Sequence, residues 1–115
     1  MSARDRISAE VEGWPGVETG PGRFGSLRFV IGRRELGHLH GDRIADLPLR
    51  PERARGLIDA GEALEHRFTP SGSGWVTVEL RSDEDADRVI RLMRESYERA
   101  VERRPELASL FNRGR

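Results

Sequence analysis

Apolar residues fall at Ala3, Ile7, Val11 and Trp14, a spacing that predicts an amphipathic helix with one buried stripe. Pro15 and Gly16 end it, because the position before a proline favours extended backbone. Gly20, Pro21 and Gly22 predict a turn. Over residues 24–31 the period changes to two. Leu27, Phe29 and Ile31 then share one face of a strand, and Ser26, Arg28 and Val30 share the other. Gly32-Arg33-Arg34 is the predicted tip of a hairpin, residues 35–40 its return strand, and residues 43–47 a further short strand closed by Pro48.

The second half repeats the alternation of signals. Pro51 suits the first turn of a helix, where its missing N–H costs little. Ala54, Leu57 and Ile58 would face a core, and Gly61 would end the helix. Residues 63–69 read as a strand, the run Pro70, Ser71, Gly72, Ser73, Gly74 as a loop, and residues 75–80 as a strand with Val76, Val78 and Leu80 on one face. Trp75, Thr77 and Glu79 occupy the other. Ser82 before Asp83, Glu84 and Asp85 is a helix start, with a capping hydroxyl and acids at the positive end of the dipole. Ala86, Val89, Ile90, Met93, Tyr97, Ala100 and Val101 keep helical spacing from there for about five turns. Arg103, Arg104 and Pro105 close it. Residues 107–111 would add one turn within a frayed extension, 105–115. The order α-β-β-β-α-β-β-α predicts a single α+β domain over residues 1–115. It would have a mostly antiparallel sheet, flanking helices and a long C-terminal helix.

Composition narrows the chemistry. The chain has 20 basic and 20 acidic residues and no net charge, and every basic residue is arginine. No broad polycationic face is advertised. There is no cysteine, which excludes disulfides, thiolate metal ligands and thiol nucleophiles. The first 13 residues lack the apolar stretch of a secretory signal, and no apolar run approaches the roughly 20 residues of a membrane helix. A cytoplasmic protein without a membrane partner is the expectation.

The densest chemistry is Gly37-His38-Leu39-His40-Gly41-Asp42, with two of the three histidines. On a strand, positions two apart share a face, so both imidazoles project together, away from Leu39. Paired imidazoles can begin a divalent transition-metal site. They serve equally as structural hydrogen-bonding groups or as contacts for a small organic or anionic ligand. Asp42 or Asp46 could add a carboxylate, and His66 could converge if its strand is a neighbour. Glu35 could fix the tautomer of His38 and raise its pKa. Gly37 and Gly41 either permit a bulge or tight turn or clear space for a ligand. Trp75 is a candidate pocket wall, and Tyr97 a second, although its place on the apolar stripe favours the core. A serine triad from Ser73 or Ser96 with His38 and Asp42 lacks the G-x-S-x-G elbow.

Three stretches carry a likeness to known proteins. They are residues 29–42 with the G-H-L-H-G-D block, Ile44-Ala45-Asp46-Leu47-Pro48, and Gly74-Trp75-Val76-Thr77-Val78-Glu79-Leu80 with Ser96-Tyr97. Together they resemble the small bacterial and fungal luciferase domain family, over about residues 17–97. That family is largely of unknown function, and the resemblance implies a shared surface marked by His38, His40 and Asp42, with Pro48 and Trp75 nearby. A fainter likeness, in the Gly-Trp-Val strand and the helix ending near Ser-Tyr, is to MmcQ/YjbR-like domains, and implies a small α+β fold of double-wing type. Two functional readings follow. The first is a ligand- or metal-binding domain built on His38, His40, Asp42 and His66, with or without catalysis. The second is a nucleic-acid- or protein-binding module using Arg23, Arg28, Arg33 and Arg34 around the hairpin. Pairing of the long helix with a second copy would give a homodimer.

Overall fold

The structure, a computed structural model, describes residues 1–110. It runs α1 (Ala3–Val11), β1 (Val17–Pro21), a turn of 3-10 helix (Arg23–Gly25), β2 (Leu27–Ile31), β3 (Arg34–His40), β4 (Ile44–Pro48), α2 (Pro51–Asp59), β5 (Leu64–Glu65), β6 (Trp75–Glu79), α3 (Asp83–Arg103) and α4 (Leu107–Leu110). The strands form one sheet in the order β1-β2-β3-β4-β6-β5, and every pairing is antiparallel. The expected α+β class and long C-terminal helix hold.

Three local readings change. Strand β1 was hidden behind Gly20 and Pro21, which read as a turn. An edge strand tolerates both, because an unpaired edge leaves proline's missing donor harmless. The strand expected over residues 24–31 begins only at Leu27, after the 3-10 turn. The strand expected over residues 63–69 shrinks to two exposed residues. At the C-terminus Leu107 is buried, so the chain stays packed there. Residues 111–115 of the expected extension lie outside the described residues.

One face of the sheet carries the core. Phe29, Ile31, Leu36, Leu39, Ala45, Leu47, Val76 and Val78 pack under Ile7 and Val11 of α1 and the Val89, Leu92, Met93 stripe of α3. Each of these fully buried side chains, Ala45 apart, contributes about 1.5–3 kcal/mol. Ser82 caps α3 in a reciprocal box with Asp85, the start that its sequence predicts. Arg6 and Asp87 tie α1 to α3. No helix among the described residues is long and apolar enough to cross a membrane.

Strand β3 departs from simple alternation. Phe29 pairs with Gly37, but Val30 pairs with Glu35, so β3 holds one extra residue. The bulge lets Leu36 and Leu39, three apart, both enter the core with 0% exposure. It also places Glu35 on the same face as His38 and His40. That face is free of helices α1 and α3, and it becomes the floor of a cleft.

The 3-10 turn carries backbone strain. Phe24 sits in the left-handed region at φ 56 and ψ 35, where a bulky side chain is an outlier, while its ring is 89% exposed. Phe24→Gly should therefore raise stability by about 0.5–1 kcal/mol, the relief of strain less the backbone entropy of glycine. Urea denaturation checks it; a lower midpoint would mean that the phenyl ring makes stabilising contacts its exposure does not show.

Candidate functional site

The floor of the cleft is a row of residues from four strands. Arg28 on β2 lies opposite His38 on β3, His38 opposite Asp46 on β4, and Asp46 opposite Thr77 on β6. Cross-strand neighbours on one face have Cβ atoms about 5 Å apart, so register alone brings an imidazole, a carboxylate and a hydroxyl together. His40 joins from two residues along β3. His66 enters from just beyond β5, where its N–H reaches Trp75 O at 3.4 Å.

All three histidines of the protein aim Nε2 at one atom. Asp46 Oδ2 lies 3.1 Å from His38, 3.2 Å from His40 and 3.4 Å from His66. Thr77 donates to the other oxygen, Oδ1, at 2.7 Å. The far nitrogen of His38, Nδ1, lies 2.7 Å from Glu35 Oε2, and Arg28 Nε is 3.3 Å from Glu35 Oε1. Trp75 sits against two of the rings, with centroids 5.6 Å from both His38 and His66. His38 and His40 meet edge to face at 5.0 Å.

The electrostatics follow from this clamp. Hydrogen bonds to Asp46 and then Glu35 push the His38 pKa up to about 9, against the opposing effect of burial. Burial alone would push the Asp46 carboxyl up. Hydrogen bonds from His38 and Thr77, with the electrostatic influence of the neighbouring imidazoles, overcome it and hold the group below its ordinary value. His38 is thus an imidazolium held between two carboxylates at neutral pH. His66 differs. Its Nδ1 accepts the Phe68 N–H at 3.3 Å, which puts the proton of the neutral ring on Nε2, facing Asp46.

Two expected members lie elsewhere. Asp42 occupies the turn between β3 and β4, and its Oδ1 accepts the Arg4 N–H at 3.0 Å, holding the first turn of α1. Its carboxylate completes a helix start. Of the two carboxylates expected as candidates beside the rings, Asp42 and Asp46, it is Asp46 that lies there. Tyr97 stands on the helix side of the sheet, packs on Trp14 at 5.3 Å and donates to Pro15 O. It is a core residue, as its helical spacing suggested. Ser96 is also buried on α3, away from the histidines. The four hairpin arginines separate as well: Arg23 and Arg28 line the cleft, while Arg33 lies in the turn between β2 and β3 and Arg34 begins β3.

The cleft above the row measures about 1160 Å³ and is bordered by Phe24, Leu64, Phe68 and Trp75 among others. Its residues Thr77, Phe24, Leu64 and Phe68 had no signal in local sequence spacing, except that alternation puts Thr77 on the face away from the core.

A family model described as Luciferase domain matches residues 33–96. The matched span begins later than the resemblance read from residue 17, and holds Glu35, His38, His40, Asp46, His66, Trp75 and Thr77 but not Phe24. Neither the comparison with curated proteins nor that with solved structures gives a match.

Proposed function

The chain belongs to the luciferase domain family, and from that premise we propose that it is a ligand-binding domain with a divalent transition-metal site at the cleft floor. The convergence of three imidazoles on Asp46 Oδ2, at 3.1–3.4 Å, carries the proposal. A tetrahedral ion with bonds of about 2.1 Å has ligand atoms roughly 3.4 Å apart. His38, Asp46 and His66 already bring one donor atom each within 4.8 Å of one another; His40 Nε2 is near Asp46 Oδ2, at 3.2 Å, but is not a member of that set. Imidazole with a carboxylate suits Zn²⁺, Ni²⁺ or Fe²⁺.

The surrounding bonds favour the same reading. Glu35 accepting from His38 Nδ1 is the outer contact that metal-bound histidines usually make; it orients the ring and leaves Nε2 free to ligate. Thr77 similarly fixes the carboxylate. A proton now occupies His38 Nε2, so an ion would displace it. His66 would have to move its remaining proton to Nδ1, against the Phe68 N–H. Loading therefore pulls on the segment that carries Phe68.

Elemental analysis of protein purified without chelator tests the proposal beside His38→Ala/His40→Ala. Near-stoichiometric metal in the wild type, lost from a still-folded variant, is the expected result. Absence of metal from both, with no thermal shift on adding Zn²⁺, Ni²⁺ or Fe²⁺, would end it and leave the cluster as a network of hydrogen bonds.

A further inference from the structure

Apart from Met1, the large apolar side chains most exposed among the described residues are Phe24 at 89%, Phe68 at 81% and Leu64 at 53%. All three border one cleft, the one floored by the histidines. Single exposed apolar residues are ordinary, but their collection at one mouth marks a binding surface. The two sides of that mouth repeat one dipeptide. Arg23-Phe24 stands on the β1–β2 connection, and Arg67-Phe68 on the β5–β6 connection.

The Phe24 side is held in shape by its own backbone hydrogen bonds. Gly22 N–H bonds Ser26 O at 2.9 Å and Ser26 N–H bonds Arg23 O at 3.1 Å, closing the loop on itself. Ser26 is buried, and a Cβ on Gly22 would stand 2.3 Å from its hydroxyl. Within this frame the chain holds a phenylalanine at positive φ and turns its ring into the open. A strained exposed aromatic at a cleft mouth is a feature that a ligand can use.

Charge gives the ligand its sign. The carboxylates of the cleft are already committed: Glu35 to Arg28 and His38, Asp46 to the histidines and Thr77, Glu65 to Ser71, Glu79 to Arg81. Among the described residues, neither Arg23 nor Arg67 has a carboxylate in ion-pair range, and Arg67 rests over the Phe68 ring at 5.6 Å. The two unpaired cations, Arg23 and Arg67, outnumber the one carboxylate of the lining that has no cation partner, Glu65, so the balance of unpaired charge at the mouth is positive, and the surfaces beside it are aromatic.

We propose that the cleft binds an amphipathic organic anion, its apolar body between Phe24, Leu64, Phe68 and Trp75 and its anionic group held by Arg23 and Arg67. Guanidinium groups bind carboxylate, sulfonate or phosphate alike through paired N–H donors. The anionic end stays at the mouth, because the charges on the floor already pair with one another, Glu35 with Arg28 and His38 and Asp46 with His38, whereas Arg23 and Arg67 have no such partner. The neutral end of the molecule then points at the histidines. This inference rests on the reading of the cleft as a ligand site, and it is independent of whether the floor holds an ion.

Two fluorescent probes of nearly the same shape separate the contributions: 8-anilinonaphthalene-1-sulfonate and its uncharged counterpart N-phenyl-1-naphthylamine. Wild type should bind the sulfonate with one site, at least about ten-fold more tightly than the neutral probe. Arg23→Gln/Arg67→Gln should remove that preference, and Phe24→Ala/Phe68→Ala should weaken both probes by about ten-fold. All four side chains lie at the surface, and thermal unfolding of each variant shows that it remains folded. Equal binding of the two probes, or sulfonate binding untouched by the arginine pair, would overturn the proposal. The same titration on chelator-treated protein and on His38→Ala/His40→Ala separates it from the metal reading. Retained sulfonate binding without any metal leaves this inference standing while the other falls. Metal without sulfonate binding does the reverse.

Discussion

Asp46→Asn should bind Zn²⁺ at least ~100-fold more weakly than wild type in a competition titration, since it strikes the atom on which three imidazoles converge, and loss of outer-shell partners alone costs 10–100-fold. Asp42→Asn is the matching control, since Asp42 holds the start of α1 and should leave affinity unchanged. Equal losses in both would return the site to the turn beside the G-H-L-H-G-D block. The metal-free protein gives a second, separate readout. The folded pKa of His38 is raised to about 9 from an unfolded value near 6.5. Its contribution to stability is therefore complete below about pH 6.5, declines as the pH rises, and is gone above about pH 9. The groups facing it are Glu35, Asp46, His40 and, through Glu35, Arg28. Removing the Asp46 charge should lower the His38 pKa and narrow this window. Wild type and variant should thus differ most in denaturation midpoint near pH 6 and converge toward pH 9. A difference independent of pH would show that Asp46 acts through packing and the Thr77 bond alone.

The parts of this site visible in sequence were those governed by local periodicity. Alternation placed His38 and His40 on one face, separated Thr77 and Trp75 from the core, and put Tyr97 on a helical stripe. Glu35 beside His38 was also accessible from the short separation. The choice between Asp42 and Asp46 turned on a single residue of strand boundary. With residues 41–43 as the turn, His40 pairs with Ile44 and His38 with Asp46; a strand begun at Arg43 does not give that register. Thr77 and His66 depend on β6 lying beside β4 and β5 beside β6, pairings across a helix and a long loop that no local pattern specifies. Phe24 was read as the start of a strand, because an aromatic ahead of alternating residues gives no hint of positive φ. The hydrophobic face of the sheet was legible because burial acts on every second residue. The cleft was not, because its members are brought together by register between distant strands.

Gly37 is where that register is set, and Gly37→Ala should destabilise the fold by about 3–5 kcal/mol, combining backbone strain with overpacking. The glycine lies at φ 151. A Cβ there would stand 2.6 Å from Leu47 Cδ2, 2.9 Å from Asp46 O and 2.9 Å from Met93 Cε. Two of these are side-chain tips that can shift, but the third is backbone of the strand that carries the central carboxylate. Gly41→Ala separates conformation from crowding. Its φ is 58 and nothing lies within 4 Å of the added carbon, so the change should cost only about 1 kcal/mol. The difference should appear as a drop in Tm of roughly 10 °C or more for Gly37→Ala relative to Gly41→Ala. Similar losses in the two would mean that strain dominates and that the space beside β4 is not tight. If Gly37→Ala folds by removing the bulge, the slip by one residue exchanges faces between Glu35 and Leu36. Glu35 would then turn into the core, and Leu36 would move to the floor beside His38. Such a protein would lose stability further, through a carboxylate buried without its partners and a leucine drawn out of the core, and would bind Zn²⁺ more weakly, because the bulge is what lets two leucines enter the core while an acid and two imidazoles share the opposite face.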